Sequence, residues 1–148
     1  MSKMTSYRNL YKTKNKLISY IKPNSIIVIF DTETVGIRSD SKIIQFSAYK
    51  FQVQKNATLK EINLFDEYCN PQESLKPKIV EITGITDEIL KNAKTEEQLA
   101  PQIFDFLEDA DCLLAYNISF DLAKLEAMAI RTRNAFSKEE FICLDVLE

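Results

Sequence analysis

Histidine and tryptophan are absent from this 148-residue sequence, and glycine occurs twice. Without histidine, zinc sites of the usual kind are excluded, because Cys69, Cys112 and Cys143 are widely spaced and form no Cys-x-x-Cys pair. Their odd number and apolar neighbours point to reduced core thiols in a cytoplasmic protein. No apolar run approaches the ~20 residues that cross a bilayer. Polar residues interrupt every apolar stretch before Ile26, which is not a signal-peptide layout. No membrane partner is expected.

What is present is ordinary for one globular domain: 45% apolar and 28% charged residues. The net charge of −3 is unevenly spread. Residues 1–30 hold Lys3, Arg8, Lys12, Lys14, Lys16 and Lys22 and no acid, whereas the remainder has thirteen basic and twenty-two acidic side chains. An acidic body argues against wide wrapping of duplex DNA. It permits an enzyme that grips one strand end through cations, since a bound cation turns an acidic pocket into an anion site.

Apolar residues at Tyr7, Leu10, Tyr11, Leu17, Ile18 and Ile21 have helical spacing, so residues 1–24 read as a basic helical extension. A surface helix packed by this stripe is favoured over a basic arm on nucleic acid. Residues 25–148 read as the domain proper. Ser25–Phe30 is an unbroken run rich in β-branched residues, suited to a strand buried on both faces. Ile43–Val53 and Glu61–Tyr68 predict the next two strands, joined by Lys55–Lys60. Thr95-Glu96-Glu97-Gln98 reads as a capping box opening a helix, with Leu99, Ile103, Phe104 and Leu107 on one side. Cys112–Tyr116 predicts a strand, Phe120–Arg131 a helix and Phe141–Leu144 a last strand. The order implies a five-stranded mixed α/β sheet with helices packed on it.

Asp31 and Glu33 follow the first buried strand in Phe30-Asp31-Thr32-Glu33-Thr34-Val35-Gly36. Side chains alternate along a strand, so the two carboxylates leave on one face and repel each other. A divalent cation removes that penalty, and hard oxygen ligands suit Mg²⁺ or Mn²⁺. Alone, an Asp-x-Glu pair is commonplace. Both glycines, Gly36 and Gly84, fall in candidate site loops, although each also suits a plain turn. In Leu114-Ala115-Tyr116-Asn117-Ile118-Ser119-Phe120-Asp121, Asn117 and Ser119 suit the turn before a helix and Asp121 its first turn, where a simple cap would also explain it.

Taken together the segments are recognisable. Residues 29–36, "IFDTETVG", resemble the first motif of the DnaQ-like (DEDD) 3′→5′ exonucleases, residues 114–121, "LAYNISFD", resemble the second, and "ITGITDEIL" resembles the intervening loop and helix. The resemblance runs from about Ser25 onward and implies a ribonuclease-H-like fold. By motif position it implies that Asp31, Glu33 and Asp121 hold two divalent metal ions, Mg²⁺ or Mn²⁺, and that Thr32, Thr34, Val35, Gly36, Thr83, Asn117 and Phe120 line the substrate. The implied activity is proofreading or other polymerase-associated hydrolysis of DNA 3′ ends, releasing nucleoside 5′-monophosphates. The same motifs serve RNA and oligonucleotide exonucleases, and an inactive nucleic-acid- or polymerase-binding module would share the fold.

The family's third motif, a His or Tyr a few residues before a fourth acid, has no counterpart in the sequence. Glu140 and Asp145 mimic its spacing but fall where the family has a structural strand. The expectation is therefore a domain lacking its C-terminal helix, weak or inactive, with Ile27, Ile29, Leu114 and Ile142 left uncovered on one sheet face. Self-association through that face, or cover from the N-terminal stripe, would follow.

Overall fold

The computed structural model describes residues 21–146. The helix read over Met4–Ile21 lies outside them apart from Ile21. The described chain runs β1 (Ile26–Thr34), β2 (Ile43–Val53), β3 (Leu59–Asn70), α1 (Pro77–Thr83), α2 (Asp87–Leu90), β4 (Lys94–Thr95), α3 (Glu96–Leu107), β5 (Cys112–Ala115), α4 (Ile118–Thr132), a 3₁₀ turn (Lys138–Glu140) and β6 (Ile142–Asp145).

One sheet is ordered β4-β3-β2-β1-β5-β6. β1, β2 and β3 form an antiparallel meander, while β5 pairs parallel to both β1 and β6. The five expected strands are all present, and the two-residue β4 joins the end of β3 as a sixth. Nothing in a Lys-Thr dipeptide marks it as a strand; it pairs in parallel with Cys69 and Asn70. β3 is longer than expected, and its connection to β2 is the tight turn 54–58, closed by Gln54 N–H to the Thr58 carbonyl.

The apolar run of β1 does what its composition demands. Ile27 and Val28 are both fully buried, on opposite faces. Val28 and Phe30 face a core of Phe46, Leu99, Ile103, Leu113, Leu122 and Leu125 beneath α3 and α4. Ile27 faces a second cluster of Ile21, Val53, Cys112, Leu114 and Val146. The face is therefore not bare: Ile27 and Leu114 are fully buried in a cluster that includes Ile21 of the N-terminal stripe, Ile29 packs against it half-buried, and Ile142 remains 39% exposed.

Thr95 caps α3 as its sequence predicts, its hydroxyl accepting from Gln98 N–H while the Gln98 side chain accepts from Thr95 N–H. Leu99, Ile103 and Leu107 are buried, and so is Phe106, whose ring packs edge-on to Phe65. Lys50 also lies in the sheet, its ammonium on Asp109 at 2.6 Å and above the Phe106 ring.

Candidate active site

Alternation along β1 places Asp31 and Glu33 on the Ile27 face and turns Thr32 to the opposite face, toward α4. α4 begins where parallel β5 ends beside β1, so its first turn reaches this strand. There Asp121 is buried, and its Oδ1 accepts the Thr32 hydroxyl proton at 2.5 Å.

The electrostatics follow from this crowding. Asp121 loses hydration by burial and its pKa rises to about 6, although the Thr32 hydrogen bond pulls the other way and Asp31 pushes it further up. Asp31 keeps an exposed edge, yet enough protein surrounds its carboxylate for lost hydration to raise its pKa. Glu33 is raised first by burial and then by the charge of Asp31. Asp31 thus opposes ionisation of both other acids. Three oxygen-donor groups that resist carrying charge together are chemically suited to a hard divalent cation. They are not gathered as a ready cluster: among the described residues no three His, Cys, Asp or Glu side chains stand arranged to hold a metal ion.

The remaining candidate residues divide. Thr34 donates its hydroxyl to the Gly36 carbonyl, and a Cβ on Gly36 would meet Ser41 Oγ at 3.3 Å, so this segment is a tight, closed exit from β1. Val35 packs on the cluster of Ile44, Ile85 and Leu90, which brings α1 and its turn against the end of β1. Thr83 spends its hydroxyl within that turn, donating to the Ile79 carbonyl and accepting from Ile85 N–H. Gly84 ends α1 at φ +73°, a conformation that favours glycine. Asn117 is exposed at the start of α4 and makes no side-chain cap bond. Phe120 is partly exposed, its ring beneath the Lys124 ammonium.

The helix start instead draws an acceptor from another strand. Asp145, on β6, accepts the Ile118 N–H at 2.8 Å. Glu140 lies elsewhere, lining a groove of about 280 Å³ with Phe104, Phe136 and Phe141. The pair that mimicked a third motif therefore separates into a helix-capping acid and a groove residue. Sequence offered no signal for the cap, which depends on β6 lying parallel to β5.

Residues 28–144 match the RNase_T family, described as Exonuclease. The chain belongs to this exonuclease family. Its relatives include the DNA polymerase III PolC-type proteins of Halalkalibacterium halodurans, 39% identical over 103 residues, and Streptococcus pneumoniae, 38% identical over 101. These alignments cover 69% and 68% of the chain but only 7% and 6% of the relatives' length. Among solved structures, E. coli exonuclease I in complex with a dT13 oligonucleotide superposes with a TM-score of 0.70 at 22% identity, covering 82% of the chain and 28% of exonuclease I. A product-bound exonuclease I gives the same TM-score, over 84% and 30%. The fold is the ribonuclease-H-like one of the DnaQ-like exonucleases.

Proposed function

We propose that this exonuclease domain hydrolyses the terminal phosphodiester at single-stranded DNA 3′ ends, with divalent cations, in the company of a DNA polymerase. The observation that carries the reading is the placement of Asp31 and Glu33 together on one face of β1, with Asp121 fixed to the intervening Thr32. The polymerase context rests on the PolC-type relatives, and the single-stranded substrate on the oligonucleotide-bound exonuclease I.

Asp31 and Glu33 would hold one cation between them, and Asp121 would take part directly or through water. Two Mg²⁺ or Mn²⁺ ions would supply the Lewis acidity that phosphodiester hydrolysis requires at neutral pH. Glu33, beside Asp31, would draw the attacking water toward the phosphate. The Thr34–Gly36 exit and the Phe120 ring would bound the terminal nucleotide. With no histidine in the sequence, turnover by these 148 residues is expected to be slow, since a positioned general base contributes ~10²–10⁴-fold.

A 5′-labelled single-stranded oligonucleotide incubated with Mn²⁺ tests this. The reading expects slow shortening from the 3′ end with release of nucleoside 5′-monophosphates, abolished in Asp31→Ala. Release of the label as a mononucleotide at the outset, or shortening indifferent to Asp31, would overturn it.

A further inference from the structure

Lys124 is not assigned to the cations, but its charge acts on Asp121 and its side chain is fully buried. Burying an ammonium is costly unless it is well partnered. Its hydrogen-bond acceptor is the backbone carbonyl of Arg38, in the segment leaving β1, and its ammonium stands 3.8 Å from the centre of the Phe120 ring. Arg38 itself is a surface residue, its side chain 83% exposed, so Lys124 lies just beneath the skin of the molecule and pins that skin from below.

A second α4 cation holds the same segment. Arg131 donates Nη1–H to the Asp40 carbonyl at 2.9 Å while its Nε and Nη2 bind the Glu96 carboxylate of α3. Positions 121, 124 and 131 lie along one stripe of α4, at spacings of three and seven residues. Reading down that stripe, Asp121 fastens Thr32, Lys124 fastens the Arg38 carbonyl, and Arg131 fastens the Asp40 carbonyl. Between these anchors residues 37–40 are exposed, Ile37 by 89%, and their own turn is closed by Ser41 N–H donating to the Arg38 carbonyl.

We propose that Lys124 is a positioning residue: its buried ammonium fixes the Gly36–Ser41 segment to α4, so that the carboxylate-bearing end of β1 and Asp121 are held as one unit. The functional consequence rests on the reading given under Proposed function. The structural claim does not.

The test compares the full chain with Lys124→Met, which keeps length and loses the donors, Lys124→Gln, a shorter neutral variant, and Lys124→Arg, which keeps charge and donors. An arginine-specific protease reports the segment directly. Cleavage after Arg38 should accelerate about tenfold in Lys124→Met, without faster cleavage after Arg133, and Lys124→Arg should return it toward the parent rate. The melting temperature should fall, because Lys124→Met takes a donor from the Arg38 carbonyl and leaves the buried Asp121 without its neighbouring cation. Mn²⁺ affinity by calorimetry supplies the second readout. Loss of a nearby positive charge alone would tighten Mn²⁺ binding, whereas loss of positioning weakens it, and a several-fold weakening is expected. Unchanged cleavage after Arg38 in Lys124→Met, or tighter Mn²⁺ binding, overturns the proposal. If Lys124→Met does not fold, Lys124→Gln is read by the same two criteria. A parent chain that binds no Mn²⁺ would sink the metal reading and leave the cleavage result to decide the role of Lys124.

Discussion

The hydroxyl of Thr32 donates to Oδ1 of Asp121 across 2.5 Å, joining the central strand to α4 over 89 residues of sequence. Both residues are buried, so the bond is shielded from water and stabilises an ionised carboxylate. Thr32 stands between Asp31 and Glu33, and the bond therefore sets where the third acid lies relative to the first two.

Thr32→Val removes that donor at nearly constant shape. Hydrogen bonds to charged groups contribute about 1.5–3 kcal/mol, and a loss in this range is expected at pH 7.5 by urea denaturation. Thr32→Ser, which keeps the hydroxyl, should lose much less. Equal losses in the two variants would mean that packing of the methyl group, rather than the bond, is what Thr32 provides.

Asp121→Asn should stabilise the cation-free protein at pH 7.5. The folded-state pKa of about 6 lies above the ordinary 3.8, so the charge disfavours folding above pH 6. That penalty is fully present above the folded pKa, shrinks as pH falls through 6 and is gone near pH 4. From 3.8 to about 6, at 1.36 kcal/mol per unit, the gain is about 3 kcal/mol. The amide oxygen introduced by Asp121→Asn can still accept from Thr32, which isolates the charge. Thermal melts in EDTA from pH 4 to 8 would show the two proteins converging at the acid end. A gap that is constant with pH would assign the effect to something other than ionisation.

Much of the fold was legible because local rules and the global pattern agree. The β-branched run at Ile26–Phe30 could be satisfied only by an interior strand, and the Thr95 to Gln98 box could open only a helix. Asp31 and Glu33 were legible as a pair because strand alternation is a local property. What was hidden depends on distant chain. The Thr32 to Asp121 bond, the Asp145 cap, the β4 pairing and the buried Lys50 and Lys124 each need a partner from another element. Asn117 is the instructive case: a cap-forming residue in the right place makes no side-chain cap bond, while the neighbouring Ile118 N–H is met by a β6 carboxylate from far along the chain.

Asp145→Ala should cost about 1 kcal/mol, the usual effect of removing a helix N-terminal acceptor. Asp145→Asn, which can still accept, should lie near the parent. Hydrogen exchange gives the local readout: amides in the first turn of α4 should exchange faster in the Ala variant, while those of α3 are unchanged. Unaltered exchange at Ile118 would contradict the cap assignment.

The thiols provide a check on packing. Burial pushes Cys69 and Cys112 up to about 12, so neither forms thiolate readily at pH 8. Cys143 is half-exposed, and burial also raises its pKa. Iodoacetamide on the native protein should therefore label Cys143 first, and slowly, with Cys69 and Cys112 reacting only after unfolding. Rapid native labelling of Cys112 would mean that the cluster around Ile27 opens to solvent.

The central claim is that Asp31, Glu33 and Asp121 form a divalent-cation site of an exonuclease, and a thermal or urea unfolding series with and without Mn²⁺ tests it most directly. At a free Mn²⁺ concentration of about 100 times Kd, the account predicts a gain of about 2.7 kcal/mol for the parent chain. Asp31→Asn, which removes the charge opposing both neighbours, should be at least as stable as the parent in EDTA and gain almost nothing from Mn²⁺. A parent chain whose stability is indifferent to millimolar Mn²⁺, or an Asp31→Asn protein that responds as the parent does, would contradict the account.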